Sequence, residues 1–378
     1  MNYFFLPLLI LIMLLSIYVT NKVIKLETST VVFTEIDGMR GYLAFFVFLH
    51  HSYIWRAFLK TDKWVEPQSN LFNHFGQTSV NFFFIITAFL FTTKLLTSKK
   101  IDFDWKKYIT SRFFRMFPMY FFSIIIVFIV ILFESDFEQK SSISDILKNT
   151  LSWIFFTVGG ANDINKIENT FIINAGVTWT LPYEWMFYFL LPLLALAFKI
   201  KVKLKTIVIF TIIAIAIALL NKAPFNNFLP FVGGILVAVL IHNYNLSVIF
   251  KKNIFSLIGI LAIIITIIFT HRGSKPMPIL ISTLFFILVA YGNSFFGIFS
   301  GTLSRKLGQI TYSIYLIHGI VLFIVFRYLI GFKITLELTE AEYWGVIALC
   351  IFPIIFISQL TFKYIEIPFI YLNKKNNG

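Results

Sequence analysis

The chain of 378 residues is 58% hydrophobic and only 13% charged, with a formal net charge of +14. Soluble chains of this size are about half apolar and a quarter charged, so the composition excludes an ordinary soluble domain and predicts an all-α polytopic membrane protein. The basic excess does not point to nucleic acid, because Lys and Arg of a membrane protein collect in its cytoplasmic loops.

A helix needs ~20 apolar residues to cross ~30 Å of hydrocarbon. On that measure the candidate spans, in chain order, are 3–20, 41–59, 80–97, 116–133, 177–198, 206–221, 228–242, 254–270, 278–298, 308–330 and 342–362, about eleven. The first lacks the basic start and small-residue cleavage site of a signal peptide, so it is expected to stay as a helix. It and a cytoplasmic linker make up residues 1–34, ahead of one membrane domain at 35–378. Residues 150–158, "TLSWIFFTV", are too short to span and read as a re-entrant or interfacial piece. The run at 228–242 is short and contains Gly233 and Gly234. The lone cysteine, Cys350, lies in an apolar run, so no disulfide framework is expected. No metal site is expected either.

Charge orients the spans. With the amino terminus outside and the carboxyl terminus inside, the inside segments carry 21 Lys and Arg against 6 Asp and Glu. The outside segments carry 9 against 11, counting Glu342 at the outer edge of the last span. This asymmetry has the sign that cytoplasmic loops require.

The few ionisable residues inside spans are the next signal, because they are costly there and are usually kept for function. His51 lies ten residues into the second span, ~15 Å deep, and His318 lies ten residues into the tenth. Glu184, in "WTLPYEWMFYFLLPLL", lies ~10 Å in from the outer side, where Pro182 is expected to break the helix and widen a site. These groups share one level, the usual place for proton transfer or catalysis in a membrane protein. His50 points ~100° away from His51 and reads as a helix–helix hydrogen bonder. In "WKKYITSRFFRMFPMYFF", Arg112 and Arg115 are three apart on one helix side. The stretch reads as a helix on the inner membrane surface, leading into a span whose opening turn holds Pro118. With Arg40 these arginines form a basic group that suits either bidentate phosphate binding or a phospholipid headgroup anchor.

These residues also carry a resemblance. "EIDGMRGYLAFFVFLHH", with ten residues between Arg40 and His51, resembles the opening signature of the integral-membrane acyltransferase 3 family, which includes bacterial O-antigen and exopolysaccharide O-acetyltransferases. "GQTSVNFFFIITAFLFTTKLL" is similar to its second helix, with Thr87, Ala88 and Phe89 where Ser-Gly-Phe is commoner. "RFFRMFPMY" resembles its Arg-x-x-Arg element, and "WTLPYEWMFYFLLPLL" its glutamate helix, from which Thr180 and Pro182 depart. "LGQITYSIYLIHGIVLF" and "YIEIPF" resemble its last segments. The five parts occur in the family's order from about residue 35 to the end.

The resemblance implies a ten-helix acyltransferase core in the bacterial inner membrane, with the first helix as an addition. It implies an acyl-CoA donor, most often acetyl-CoA, held from the cytoplasmic side by Arg40, Arg112 and Arg115. A glycan or lipid-linked sugar hydroxyl on the outer side would be the acceptor, with membrane lipid around the chain. His51 would act as general base or acyl acceptor, Glu184 would orient the imidazole or the hydroxyl, and His318 would donate to the oxyanion. Some members carry a further hydrolase-like domain; none lies within these residues, so the expectation is that either this protein completes the transfer alone or a separate periplasmic partner does. A sugar or polysaccharide exporter remains the alternative function, with the midplane His and Glu relaying protons.

Overall fold

The computed structural model of the chain describes residues 5–26, 33–98 and 103–377. The first two residues of the expected 3–20 span and residues 27–32 of the linker lie outside these. The described residues form helices and no strand. In chain order they are α1 (Phe5–Ile24), α2 (Thr34–Thr61), α3 (Asn70–Thr97), α4 (Trp105–Glu134), α5 (Ile143–Ile154), α6 (Leu181–Ala197), α7 (Leu204–Leu220), α8 (Leu229–Asn243), α9 (Ser247–Phe250), α10 (Asn253–Phe269), α11 (Pro276–Ala290), α12 (Thr302–Gln309), α13 (Thr311–Ile324), α14 (Phe332–Glu337), α15 (Glu340–Thr361) and α16 (Ile367–Asn377). Local chemistry sets several boundaries. Asp104 caps α4 by accepting from the Lys107 N–H, and Thr339 with Glu342 forms a capping box at the start of α15. Asp62 ends α2 in the left-handed region, φ 54°.

Each of the predicted runs falls on a helix. Seven helical stretches are long and apolar enough to cross a membrane: Phe5–Ile24, Asn70–Thr97, Trp105–Glu134, Val177–Ala197, Phe225–Asn243, Thr311–Leu329 and Glu340–Asn373. Helices α7, α10 and α11 are apolar but shorter. Helix α2 is long enough, at 28 residues, but His50, His51 and Arg56 dilute its apolar character. The fold is therefore that of a multi-pass membrane protein, with a span count that length and composition establish for seven.

Three local expectations change. Pro118 does not open a span; α4 is one helix that starts at Trp105 and carries Pro118 in its interior. Arg112 and Arg115 thus belong to the same rod as the span, and neighbouring helices cover the site where Pro118 lacks its N–H. Pro182 does not break a helix but starts one: a short 3-10 turn, Val177–Thr180, leads into α6, and proline occupies the first turn, where no intrahelical N–H partner exists. Helix α11 stops at Ala290, well before residue 298. Residues 150–158 are the last turn of α5 and a reversal with Phe156 and Thr157 at positive φ. Ile143, Leu147, Leu151 and Phe155, one turn apart, are exposed, which fits a helix lying at an interface.

Helix α2 is the organising rod, packed against α3, α12 and α13. Its entry is tight. A Cβ on Gly38 would lie 1.8 Å from the Phe299 carbonyl oxygen, and one on Gly308 would lie 1.9 Å from that of Asp37. Only glycine permits these backbones to touch, and the contact fixes Arg40 two residues further on.

Candidate active site

Helices α2 and α13 bring the two midplane histidines together. Nδ1 of His51 and Nε2 of His318 are 2.9 Å apart, with the rings stacked at 5.1 Å and 26°. Nδ1 of His318 lies 2.9 Å from the Ile314 carbonyl oxygen one turn earlier. A carbonyl only accepts, so His318 carries its proton on Nδ1 and its Nε2 is a lone pair. His51 must then donate from Nδ1, which leaves the lone pair of the neutral His51 ring on Nε2. Both nitrogens of His318 are thereby engaged. In this arrangement it has no free N–H to offer an oxyanion.

The surroundings hold this pair. His318 is fully buried, with the Phe48 ring edge-on at 6.3 Å. Trp64, from the loop after α2, stacks on His51 at 6.3 Å and 22°. A Cβ on Gly319 would lie 2.4 Å from the Asn174 carbonyl carbon, so the 3-10 turn Thr170–Asn174 presses on α13 beside His318. His50 points elsewhere, as helical spacing requires: its Nδ1 donates to the Phe72 carbonyl at 2.7 Å, and its ring rests on Gly76.

The arginines line a cavity of about 390 Å³ between α2, α3, α4, α6 and α13. Arg40, Arg112, Arg115 and Lys94 supply its positive charge, and Glu184, Tyr188, Tyr312 and Tyr315 are among its other walls. Arg40 is 3.7 Å from Asp37. Arg112 stacks over the Phe91 ring at 4.9 Å and donates to Ser111 at 3.3 Å, while its buried Nε has no partner. Among the described residues neither Arg112 nor Arg115 has a carboxylate within ion-pair distance, 4.0 Å. Guanidinium groups left this short of partners fit a polyanionic ligand better than a structural role.

Depth alone grouped Glu184 with the histidines; the structure groups it with the arginines. Its Oε2 accepts from the Tyr188 hydroxyl at 3.1 Å, and it makes no bond to either imidazole. Tyr315 joins the two regions. It lines the cavity, its ring is 6.3 Å from His318, and its hydroxyl donates to the Val177 carbonyl at 2.9 Å beside Thr180 at 3.0 Å.

One residue escaped sequence reasoning. Glu366 is 1% exposed, in a π-helical turn, Phe362–Glu366, of the kind that often marks functional sites. One oxygen accepts from Ser313 at 2.6 Å and the other has no partner. Arg115 and Arg40 are the cations that act on it. The visible signal was an acid inside an apolar stretch, in "YIEIPF". No group of three His, Cys, Asp or Glu among the described residues is placed to hold a metal ion.

No curated protein and no solved structure matches this chain. A family model described as an acyltransferase domain matches residues 33–363, from the entry of α2 to the end of α15. The match takes in both histidines, all three arginines and Glu184, and on it the chain belongs to the acyltransferase 3 family of integral-membrane acyltransferases.

Proposed function

We propose that the protein is an O-acyltransferase that takes an acyl group, acetyl in the commonest case, from acyl-CoA at the cytoplasmic side. The acceptor is a hydroxyl of a cell-surface or lipid-linked glycan on the outer side. The membrane is the bacterial inner membrane, with the amino terminus outside and the carboxyl terminus inside, and a separate periplasmic protein is a candidate partner.

The observation that carries the reading is the hydrogen-bond chain from the Ile314 carbonyl through His318 to His51. It presents an unprotonated Nε2 on His51 as the base. In the transfer, His51 Nε2 takes the proton of the acceptor hydroxyl as its oxygen attacks the thioester carbonyl carbon. The C–S bond breaks, and CoA leaves with the proton that the imidazolium returns. His318 Nε2, accepting from His51 Nδ1–H, steadies the imidazolium between these steps. The same lone pair is suited to receive the acyl group itself, which would hand it outward without moving CoA. The cavity supports the donor half of the reading. CoA is polyanionic, and Arg40 and His51 are eleven residues apart on one helix, ~16 Å, so a phosphate held at the first leaves room for an extended arm to reach the second.

Mass spectrometry of the host's surface glycans tests this, with the wild-type gene and with His51→Ala. Loss of an acyl-sized mass in the variant is expected. Unchanged acylation in a folded His51→Ala protein would falsify the assignment.

A further inference from the structure

A site that binds phosphates has no use for a carboxylate among its arginines, yet Glu184 is there. It is the only acid lining a cavity that also holds Arg40, Arg112, Arg115 and Lys94. Glu184 feels Arg40 and Arg112 across the cavity, but it makes no ion pair within 4.0 Å among the described residues, so a counter-charge role alone leaves its oxygens unbonded by them. Its one bond is from the Tyr188 hydroxyl to Oε2, and Oε1 accepts nothing among the described residues. A carboxylate oxygen facing a cavity inside a membrane protein calls for an N–H or O–H donor.

Its place along the cavity says which part of a ligand would supply that donor. Thr180 and Tyr188 stand four residues to either side of Glu184, one helical turn each. Tyr188 packs on Phe91 at 5.2 Å, the same ring that Arg112 covers, so this end belongs to the guanidinium groups. Thr180 meets Tyr315 at 3.0 Å, whose ring neighbours His318, so the other end leads toward the histidines, which do not themselves line the cavity. Along α6, Glu184 therefore stands between the turn that touches the guanidinium groups and the turn that leads toward His318.

We propose that Glu184 is a specificity-determining binding residue whose free oxygen accepts a hydrogen bond from the uncharged arm of the donor. This rests on the acyl-CoA reading of the cavity. The pantetheine arm offers two amide N–H groups and a hydroxyl between the phosphates and the thioester, which is the order of partners that the cavity presents. A diphosphate without such an arm would meet Glu184 as repulsion only.

The test uses the full chain in detergent or nanodiscs and two probes, CoA and adenosine 3′,5′-bisphosphate, which keeps phosphates and lacks the arm. Binding is measured for the wild type, Glu184→Leu and Glu184→Gln. Losing a hydrogen bond to a charged acceptor should weaken CoA by about ten- to a hundredfold in Glu184→Leu. Binding of the bisphosphate should stay the same or tighten. Glu184→Gln, which keeps an acceptor oxygen and the Tyr188 contact, should show a smaller CoA loss with the bisphosphate again unweakened; it decides the matter if the leucine variant does not fold. Equal changes for both probes, or CoA binding unchanged or tighter in the variants, would overturn the proposal. Wild-type protein that binds neither probe would instead remove the acyl-CoA reading, and this proposal with it.

Discussion

The two buried polar regions are built in opposite ways. In the histidine pair the protein supplies the partners: His318 is bonded at both nitrogens, His51 at one, and aromatic rings close the sides. In the arginine cavity the protein withholds them. Each guanidinium has five N–H donors, yet Arg112 leaves a buried Nε unbonded and, among the described residues, Arg115 has no carboxylate within 4.0 Å. Cations held without partners inside a membrane protein are expensive, so their persistence is itself informative. On the proposed reading, the first region is preorganised for a reaction and the second for a ligand.

That contrast can be broken at either end. The largest effect is expected from His51→Ala, which should lower acyl transfer by about a hundred- to ten-thousandfold while CoA affinity holds within about twofold. CoA release and CoA binding on the purified protein measure the two halves. Next comes Arg115→Ala, with donor binding about ten- to a hundredfold weaker and turnover at saturating donor largely kept. If affinity is unchanged, the arginines are headgroup anchors and the contrast collapses. His318→Phe should cost about tenfold in kcat, because His51 loses the acceptor that fixes its tautomer, with KM for the donor unmoved. A loss that appears in KM instead would place His318 in ligand binding. The smallest catalytic effect is expected from Gly76→Ala. The added methyl meets the His50 ring at 2.5 Å, so the variant should lose about 1–3 kcal/mol of stability, read as a lower Tm, while each folded molecule keeps near wild-type turnover. Lost turnover there would bring His50 into the chemistry.

Much of this was legible in the sequence because a membrane imposes one strong coordinate, depth. Hydropathy placed the helices, and counting residues from the boundary put His51 and His318 at one level, where the structure has them 2.9 Å apart. The spacing of Arg112 and Arg115 likewise put them on one helix side. Depth says nothing about direction around the bundle axis, and the misplacements follow from that. Glu184 shares a level with the histidines but faces the arginines, because its side of α6, marked by Tyr188, packs on Phe91 of α3 and Tyr108 of α4. Glu366 looked like a residue near the end of the last span, and only the packing of its turn against α4, with the bond from Ser313 of α13, buries it near Arg115. Pro118 and Pro182 were each read as marking a helix start or break, whereas tertiary cover lets one sit mid-helix and makes the other a beginning.

The glycine contacts at the entry of α2 carry one more consequence. Arg40 and His51 ride on the same unbroken helix, and the backbone at Gly38 is locked against its neighbours with no play. The gap between the two side chains is therefore counted in residues, eleven steps or ~16 Å, and does not stretch as surrounding helices shift. Helix α2 acts as a gauge. On the proposed reading, a donor anchored at Arg40 brings its far end to His51 only if its own reach matches that length, which would sort donors by size with no pocket shaped around the group being transferred.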